Sequence, residues 1–202
     1  IQFKVEGQTI MAHPEDKLDH RLLLDKIDFE NGTVNCYGET YPIKDVNLPT
    51  IDPKDPYRLT PEEEQVMVAL EASIVNSAKL QEHIDFLYSH GSLFTTCNGN
   101  LLFHGCIPFT EDGDFMEVTI GGKTNHGAAL MKQLDRSLRE AYFNPGEGVD
   151  KADAANLMWY LWLGPDSPLF GKDKMTTFER LFIEDKATHK EHTVPYYKLI
   201  ND

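Results

Sequence analysis

The chain has 202 residues, of which 41% are hydrophobic, so it can bury a sizeable core as one large domain or two small ones. Its 33 acidic residues outnumber 19 basic residues and give a formal net charge of −14, which disfavours binding to nucleic acid and to anionic membrane surfaces. No apolar stretch approaches the ~18 residues of a membrane helix, and three cysteines without zinc or redox spacing (Cys36, Cys97 and Cys106) are typical of reduced thiols in the cytosol.

The first residues are predicted to form a short helix followed by a hairpin. Residues 1–12 carry apolar side chains at helical spacing, and we expect the helix to break near Gly7. Residues 27–37 predict a hairpin, because Asn31-Gly32 supplies the positive φ angles of a type I′ turn.

A stiff connector precedes a well-marked helix start. Residues 45–59 carry three prolines among aspartates, which makes this connector the best candidate for an internal domain boundary. Thr60 and Pro61 then provide an N-cap hydroxyl and a proline at the first helical position, with Glu63 at the capping-box position. Helical spacing of apolar residues continues to Gly91, with a break predicted near Asn76-Ser77.

A second hairpin is predicted around Asn98-Gly99, between residues 92–96 and 101–104. The apolar run after this turn predicts a buried strand with His104 at its carboxyl end. A histidine held at a strand end can bind a divalent metal such as Mn²⁺ or Zn²⁺ through a neutral imidazole. The alternative is a packed histidine whose ring nitrogens are bonded to backbone groups.

The last part of the chain contains a second candidate site. Lys172, Lys174 and Arg180 concentrate positive charge in an otherwise acidic chain, and Thr176 and Thr177 can cap a helix whose free N–H groups attract an anion. This chemistry suits a phosphate group. The alternative is an ordinary capped helix with solvated lysines.

Helices are also predicted over 125–142, 151–163 and from 176, with a further strand over 115–120. Within one of these helices, Asp135-Arg136 and Arg139-Glu140 lie at i, i+1 and i, i+4 spacings that are typical of surface ion pairs, which contribute little to stability. The alternative is an arginine that binds phosphate. The order of elements indicates an α+β fold.

Five long strings in this sequence carry a specific resemblance to one family. They are Arg21-Leu-Leu-Leu-Asp-Lys-Ile, Leu59-Thr-Pro-Glu-Glu-Glu, Asn98-Gly-Asn-Leu-Leu-Phe-His-Gly-Cys-Ile-Pro, Leu157-Met-Trp-Tyr-Leu-Trp and Gly171-Lys-Asp-Lys-Met-Thr-Thr-Phe-Glu-Arg. With them the whole chain resembles the class III fructose-1,6-bisphosphatases, a bacterial family within the calcineurin-like metallophosphatases.

The resemblance implies hydrolysis of the 1-phosphate of fructose 1,6-bisphosphate, a step of gluconeogenesis, in the cytoplasm. The expected cofactor is a binuclear divalent metal centre, Mn²⁺ by preference, to which His104 supplies a ligand. The expected fold is a partial calcineurin-like core with strands around 92–120, together with a helix-rich insert. The expected partner is a sugar bisphosphate, with neither nucleic acid nor membrane involved, and the parent enzyme is expected to be a homo-oligomer.

The sequence also departs from the family pattern. It contains no Gly-Asp-x-His, Gly-Asp-x-x-Asp-Arg-Gly or Gly-Asn-His-[Asp/Glu] motif, although the resemblance implies a centre built from them. We therefore expect residues 1–202 to be an internal fragment that is inactive alone. Two alternatives remain open: a non-catalytic regulatory or oligomerisation region centred on 21–91, or a calcineurin-like phosphoesterase with another substrate.

Overall fold

The computed structural model describes residues 1–120, 122–143, 151–190 and 194–200. Its helices are α1 (Gln2–Ala12), α2 (Pro61–Val75), α3 (Ala78–His90), α4 (Gly127–Phe143), α5 (Lys151–Leu163), α6 (Thr177–Phe182) and α7 (Pro195–Leu199). Its strands are β1 (Ile27–Asp28), β2 (Thr33–Cys36), β3 (Glu39–Pro42), β4 (Phe94–Cys97), β5 (Asn100–Phe103), β6 (Val118–Ile120) and β7 (Lys123–Asn125).

The strands pair as three small antiparallel sheets, ordered β1-β2-β3, β4-β5 and β6-β7. The predicted α+β class is therefore confirmed, while the calcineurin-like core stays a prediction. Within the described residues, no helix is both long and apolar enough to cross a membrane.

The chain divides into two compact units. Unit 1 contains Ile1–Ala78 and Met175–Glu191, and unit 2 contains Lys79–Lys174 and His192–Asp202. The domain boundary proposed within residues 45–59 stays a prediction.

The core of unit 1 forms where the three-stranded sheet meets α6. β2 turns alternate side chains inward, so that Val34 and Cys36 are both buried. They belong to a core cluster that also contains Leu23, Leu24, Tyr57, Phe178 and Ile183.

The turn between β1 and β2 differs from the prediction. Asp28 pairs with Thr33, which leaves a four-residue loop instead of a two-residue turn. The Asp28 carboxylate accepts hydrogen bonds from the backbone N–H groups of Glu30 and Asn31, and this local bonding favours the longer loop. Gly32 has a positive φ of 65° but Asn31 does not, so the predicted type I′ turn is wrong.

The predicted break near Gly7 is also wrong, because α1 runs through this residue. A Cβ atom at Gly7 would overlap the ring of Tyr57. The glycine therefore allows the helix to approach an aromatic side chain closely, and that packing outweighs the low helix propensity of glycine.

The predicted start of α2 is confirmed as a capping box. The backbone N–H of Glu63 donates to Thr60 Oγ1 at 3.3 Å, and the backbone N–H of Thr60 donates to Glu63 Oε2 at 2.9 Å. Glu63 Oε2 also accepts a hydrogen bond from the buried Lys4 ammonium at 2.7 Å. α2 ends at Val75, so the predicted break near Asn76 is confirmed.

In unit 2, α4 and α5 contribute leucines to a second core. Its buried residues are Leu93, Val118, Leu130, Leu134 and Leu161. α3 packs on α4 through Tyr88 and Tyr142, whose rings are stacked with centroids 4.1 Å apart.

The hairpin of unit 2 has the predicted turn but not the predicted burial. Cys97 pairs with Asn100, and both Asn98 and Gly99 between them have positive φ angles. Leu101 is 48% exposed, Leu102 is 52% exposed and Phe103 is half-buried, so the prediction of a buried strand is wrong. The apolar run forms one strand of an isolated two-stranded hairpin.

Candidate functional site

His104 directly follows β5, and its side chain is exposed. The next two residues hold the end of the strand in place, because the backbone N–H groups of Gly105 and Cys106 both donate to the carbonyl of Pro168 at 3.0 Å. The Tyr197 hydroxyl adds a hydrogen bond to the Gly105 carbonyl at 3.3 Å. His104 therefore follows an exposed hairpin but precedes a firmly bonded segment.

The loop that receives this segment is packed closely against Cys106. The Cys106 thiol is fully buried and donates to the Ser167 carbonyl at 3.4 Å. Gly171, with a φ of 59°, lies so close that a Cβ atom there would overlap the sulfur. Burial, with a smaller contribution from Asp166, raises the pKa of Cys106 to about 11, so the thiol is protonated at neutral pH.

The two candidate phosphate-binding lysines follow this loop. The Lys172 ammonium lies 5.8 Å from the centroid of the Phe170 ring, within the range of a cation–π interaction. Lys174 is only 8% exposed. Both lysines have further interactions within the protein, and both belong to unit 2 together with His104.

Arg180 belongs to unit 1, whereas Lys172 and Lys174 belong to unit 2. Its Nε donates to Thr176 Oγ1 at 3.0 Å. Thr176 has a left-handed backbone with a φ of 56°, and its side chain makes no capping hydrogen bond to the short helix α6. The hydroxyl predicted to cap this helix is bonded to the arginine instead.

His104 also lines a cavity of about 270 Å³ in unit 2. Most of the lining is apolar and includes Leu93, Leu161 and Leu169, with the largely exposed Trp162 among the lining residues. Among the described residues that line this cavity, Arg139 alone carries a permanent charge. The cavity therefore suits an apolar group better than a sugar phosphate.

Arg139 makes contacts that sequence reasoning missed. Its guanidinium donates to Asp135 Oδ2 at 3.1 Å and to the backbone carbonyls of Tyr88 and Gly91, at the end of α3. Asp135 Oδ1 in turn accepts the backbone N–H of Leu93 at 3.1 Å. The i, i+4 spacing indicated the ion pair, but nothing in the sequence indicated that the pair joins α4 to the end of α3.

A buried carboxylate in unit 1 was also missed. Glu179 is 2% exposed and accepts a hydrogen bond from the Tyr37 hydroxyl at 2.6 Å. Burial raises the pKa of Glu6, an effect that Arg21 opposes and Glu179 reinforces. Burial and the bond to Glu179 raise the pKa of Tyr37. Glu179 lies within one of the strings quoted above, but its burial depends on packing far along the chain.

The described residues do not by themselves provide a metal centre. Over 1–120, 122–143, 151–190 and 194–200, no three His, Cys, Asp or Glu side chains converge so that they could hold a metal ion. His104 is thus a single exposed imidazole, which does not fit a binuclear centre without further ligands.

Comparison with known proteins identifies the family. The family described as Firmicute fructose-1,6-bisphosphatase matches residues 1–202, and the chain belongs to this family. The resemblance seen in the sequence is therefore confirmed. No solved structure matches the chain.

Several relatives carry the name "Fructose-1,6-bisphosphatase class 3". The protein from Clostridium tetani is 56% identical over 197 residues, which are 98% of this chain and 30% of the relative. The proteins from Clostridium novyi and Clostridium acetobutylicum are 52% and 50% identical over 98% and 100% of this chain, again 30% of each relative. The chain thus spans about 30% of the length of the curated relatives it matches.

Proposed function

We propose that this chain is part of a fructose-1,6-bisphosphatase that removes the 1-phosphate of fructose 1,6-bisphosphate in the cytoplasm, as a step of gluconeogenesis. The observation that carries the proposal is the match of all 202 residues to the family. High identity along nearly the whole chain supports it, because a different phosphoesterase would share short metal-binding motifs and not long strings outside them.

The proposed role of His104 is to supply one imidazole ligand to a divalent metal, with Mn²⁺ as the preferred ion. Its exposed side chain is free of core packing, and the hydrogen bonds of Gly105 and Cys106 to Pro168 hold the following backbone. The metal would help to neutralise charge on the phosphoryl oxygens. The other ligands, and the calcineurin-like core that presents them, are proposed to come from the larger part of the enzyme.

Lys172, Lys174 and Arg180 are proposed to contribute positive charge near the substrate phosphates. Lys172 is the strongest of the three candidates, because its side chain is only partly buried whereas Lys174 is almost fully buried. Arg180 is exposed but is already held by Thr176. We therefore expect loss of Lys172 to affect substrate binding more than loss of Arg180.

The proposal is tested with a chimera in which this chain replaces the matching 30% of the Clostridium tetani relative. Phosphate release and formation of fructose 6-phosphate are measured with Mn²⁺ for the chimera, for the unmodified relative and for the 202-residue chain. We expect activity in the chimera and the relative, and none in the chain alone.

Three results would change this conclusion. A folded chimera without activity, beside an active relative, would contradict a role of this chain in the enzyme. Activity of the 202-residue chain would mean that it contains a complete site. Faster hydrolysis of another sugar phosphate would favour a phosphoesterase with a different substrate.

A further inference from the structure

Three helices of unit 2 line a cavity whose chemistry does not match a sugar phosphate. The cavity of about 270 Å³ is lined mainly by α3, α4 and α5, and all of its lining residues belong to unit 2. Most of the lining is aliphatic or aromatic, and it includes Tyr88, Leu93, Leu138, Leu161, Trp162 and Leu169. An apolar molecule in this cavity leaves water and gains contacts with carbon atoms, which is favourable.

The charge of Arg139 in the lining is already compensated. Its guanidinium donates to Asp135 Oδ2 at 3.1 Å and to two backbone carbonyls at the end of α3. The Ser92 hydroxyl donates to Asp135 Oδ1 at 3.2 Å, and the Tyr88 hydroxyl donates to the Met158 sulfur at 3.3 Å. A carboxylate or phosphate in the cavity would therefore lose its hydration without meeting, among the described lining residues, a permanent cation that lacks a counter-ion. This favours an uncharged ligand.

The size of the cavity limits the ligand further. An apolar protein cavity of about 150 Å³ holds one benzene ring. The cavity of unit 2, at about 270 Å³, therefore has room for about two fused rings. Trp162 and Met158 are 65% and 36% exposed, so part of the lining is open to solvent and a ligand can enter. The Tyr88 and Trp162 rings favour an aromatic ligand over an aliphatic one, because aromatic pairs gain energy beyond the burial of their area.

We propose that this cavity of unit 2 is a binding site for an uncharged aromatic compound of about two fused rings. Its aliphatic side chains would enclose the rings, while Tyr88 and Trp162 would supply aromatic contacts. His104 also lines the cavity, so a bound compound would contact the imidazole that is proposed as a metal ligand. Binding itself does not rest on the proposed function, because it requires neither a metal nor a phosphate.

A matched pair of probes tests the site in the 202-residue chain. Isothermal titration calorimetry is carried out at about pH 8, above the usual range of histidine titration, with 2-naphthol and with 2-naphthoate. The two probes share a pair of fused rings, but only the second carries a carboxylate. We expect one 2-naphthol to bind per chain and 2-naphthoate to bind at least about tenfold more weakly, because the cavity offers no free cation for its charge.

Two variants locate the binding. Leu138→Trp places a large ring in the lining and should weaken 2-naphthol binding at least about tenfold, whereas Leu101→Trp makes the same change on the exposed β5 and should leave it unchanged. Trp162→Ala removes an exposed lining ring without disturbing the core and should weaken binding about threefold or more. Phe143→Ala, at another exposed aromatic residue of unit 2, is its control. Melting temperatures confirm that each variant is folded.

Several results would overturn the proposal. These are a folded chain that does not bind 2-naphthol, equal affinity for the two probes, and unchanged binding in both Leu138→Trp and Trp162→Ala. The same titration is repeated with the chimera, where we expect the same affinity. Loss of binding in an active chimera would mean that the rest of the enzyme fills the cavity, which would also overturn the proposal. Phosphate release by the chimera is measured separately, so failure of the proposed function would leave the titration of the 202-residue chain decisive.

Discussion

At the scale of single residues, the site region depends on a very close contact between a glycine and a sulfur. Gly171 combines a φ of 59° with a position directly against the buried Cys106 thiol. Any side chain at this position meets both backbone strain and overpacking. The contact holds the loop before Lys172 against the segment that follows His104.

Substitutions of Gly171 and of Gly99 separate the cost of backbone strain from the cost of overpacking. Gly171→Ala should lower the free energy of unfolding by about 2–4 kcal/mol, the sum of left-handed strain and overpacking. Gly99→Ala is the matched control, because Gly99 also has a positive φ but nothing lies within 4 Å of the added Cβ. We expect the control to cost only about 1 kcal/mol. Urea denaturation measures both, and equal losses would contradict the packing argument.

At the scale of elements, a buried ion pair joins α1 to the start of α2. Lys4 and Glu63 have side chains only 2% and 8% exposed, and the ammonium also donates to the Thr50 carbonyl. The ion pair therefore connects three segments of unit 1. A buried charge left without its partner is strongly unfavourable, so each member depends on the other.

Removal of the lysine should show this dependence. Lys4→Met should lower the free energy of unfolding by about 3–5 kcal/mol, because Glu63 loses its buried counter-ion. Lys54→Met replaces an exposed lysine in the same unit and should change stability by less than about 0.5 kcal/mol. The double variant Lys4→Met/Glu63→Gln should recover part of the loss in chemical denaturation. Without that recovery, the cost would come from packing and not from charge.

The same pair predicts a dependence of stability on pH. Burial of Glu63 raises its pKa, but hydrogen bonds from Lys4 and Thr60 outweigh this and lower the pKa from 4.5 to about 2. Between these values the unfolded state binds more protons, so the stabilisation is complete above about pH 4.5 and is lost as the pH falls towards 2. Glu63→Gln should lose stability less steeply over this range in urea titrations. An identical slope would contradict the assignment.

The contact of α4 with the end of α3 has a comparable test. Arg139→Ala should lower the free energy of unfolding by about 1.5–3 kcal/mol, because charge-assisted hydrogen bonds to two carbonyls and to Asp135 are lost. Arg136→Ala, at an exposed position of the same helix, should change stability by less than about 0.5 kcal/mol. Thermal denaturation compares the two, and similar effects would mean that Arg139 is only a surface residue.

At the scale of the whole molecule, the proposed function requires a metal centre. Among the described residues, no group of His, Cys, Asp and Glu side chains could hold a metal ion by itself. His104 is exposed and contributes little to packing. Its importance should therefore appear in the larger enzyme and not in the stability of this chain. This contrast distinguishes a metal ligand from a structural histidine.

His104→Ala should leave the stability of the 202-residue chain within about 0.5 kcal/mol of the unmodified chain. In the chimera, the same change should lower kcat/KM for fructose 1,6-bisphosphate by about a hundredfold or more, because metal–phosphoryl interactions supply several kcal/mol. His83→Ala, another exposed histidine of unit 2, serves as the control and should keep full activity. Equal activities of the two variants would remove His104 from the proposed site.

The sequence by itself determined those features that depend on neighbouring residues. The capping box of α2 and the turn at Asn98-Gly99 both follow from chemistry within a few positions along the chain. Long strings of residues identified the family, which the comparisons confirm. The wrong predictions at Gly7 and along β5 concern packing, which a local pattern does not contain.

Only the tertiary structure decided which of these residues are buried and which are in contact. Lys4 meets Glu63 across 59 positions of sequence, and Arg139 reaches the carbonyl of Tyr88 across 51. The same holds for the contact of Gly171 with Cys106. The physical reason is that periodicity specifies a face of a helix or strand, whereas the partner of that face depends on how distant segments fold together.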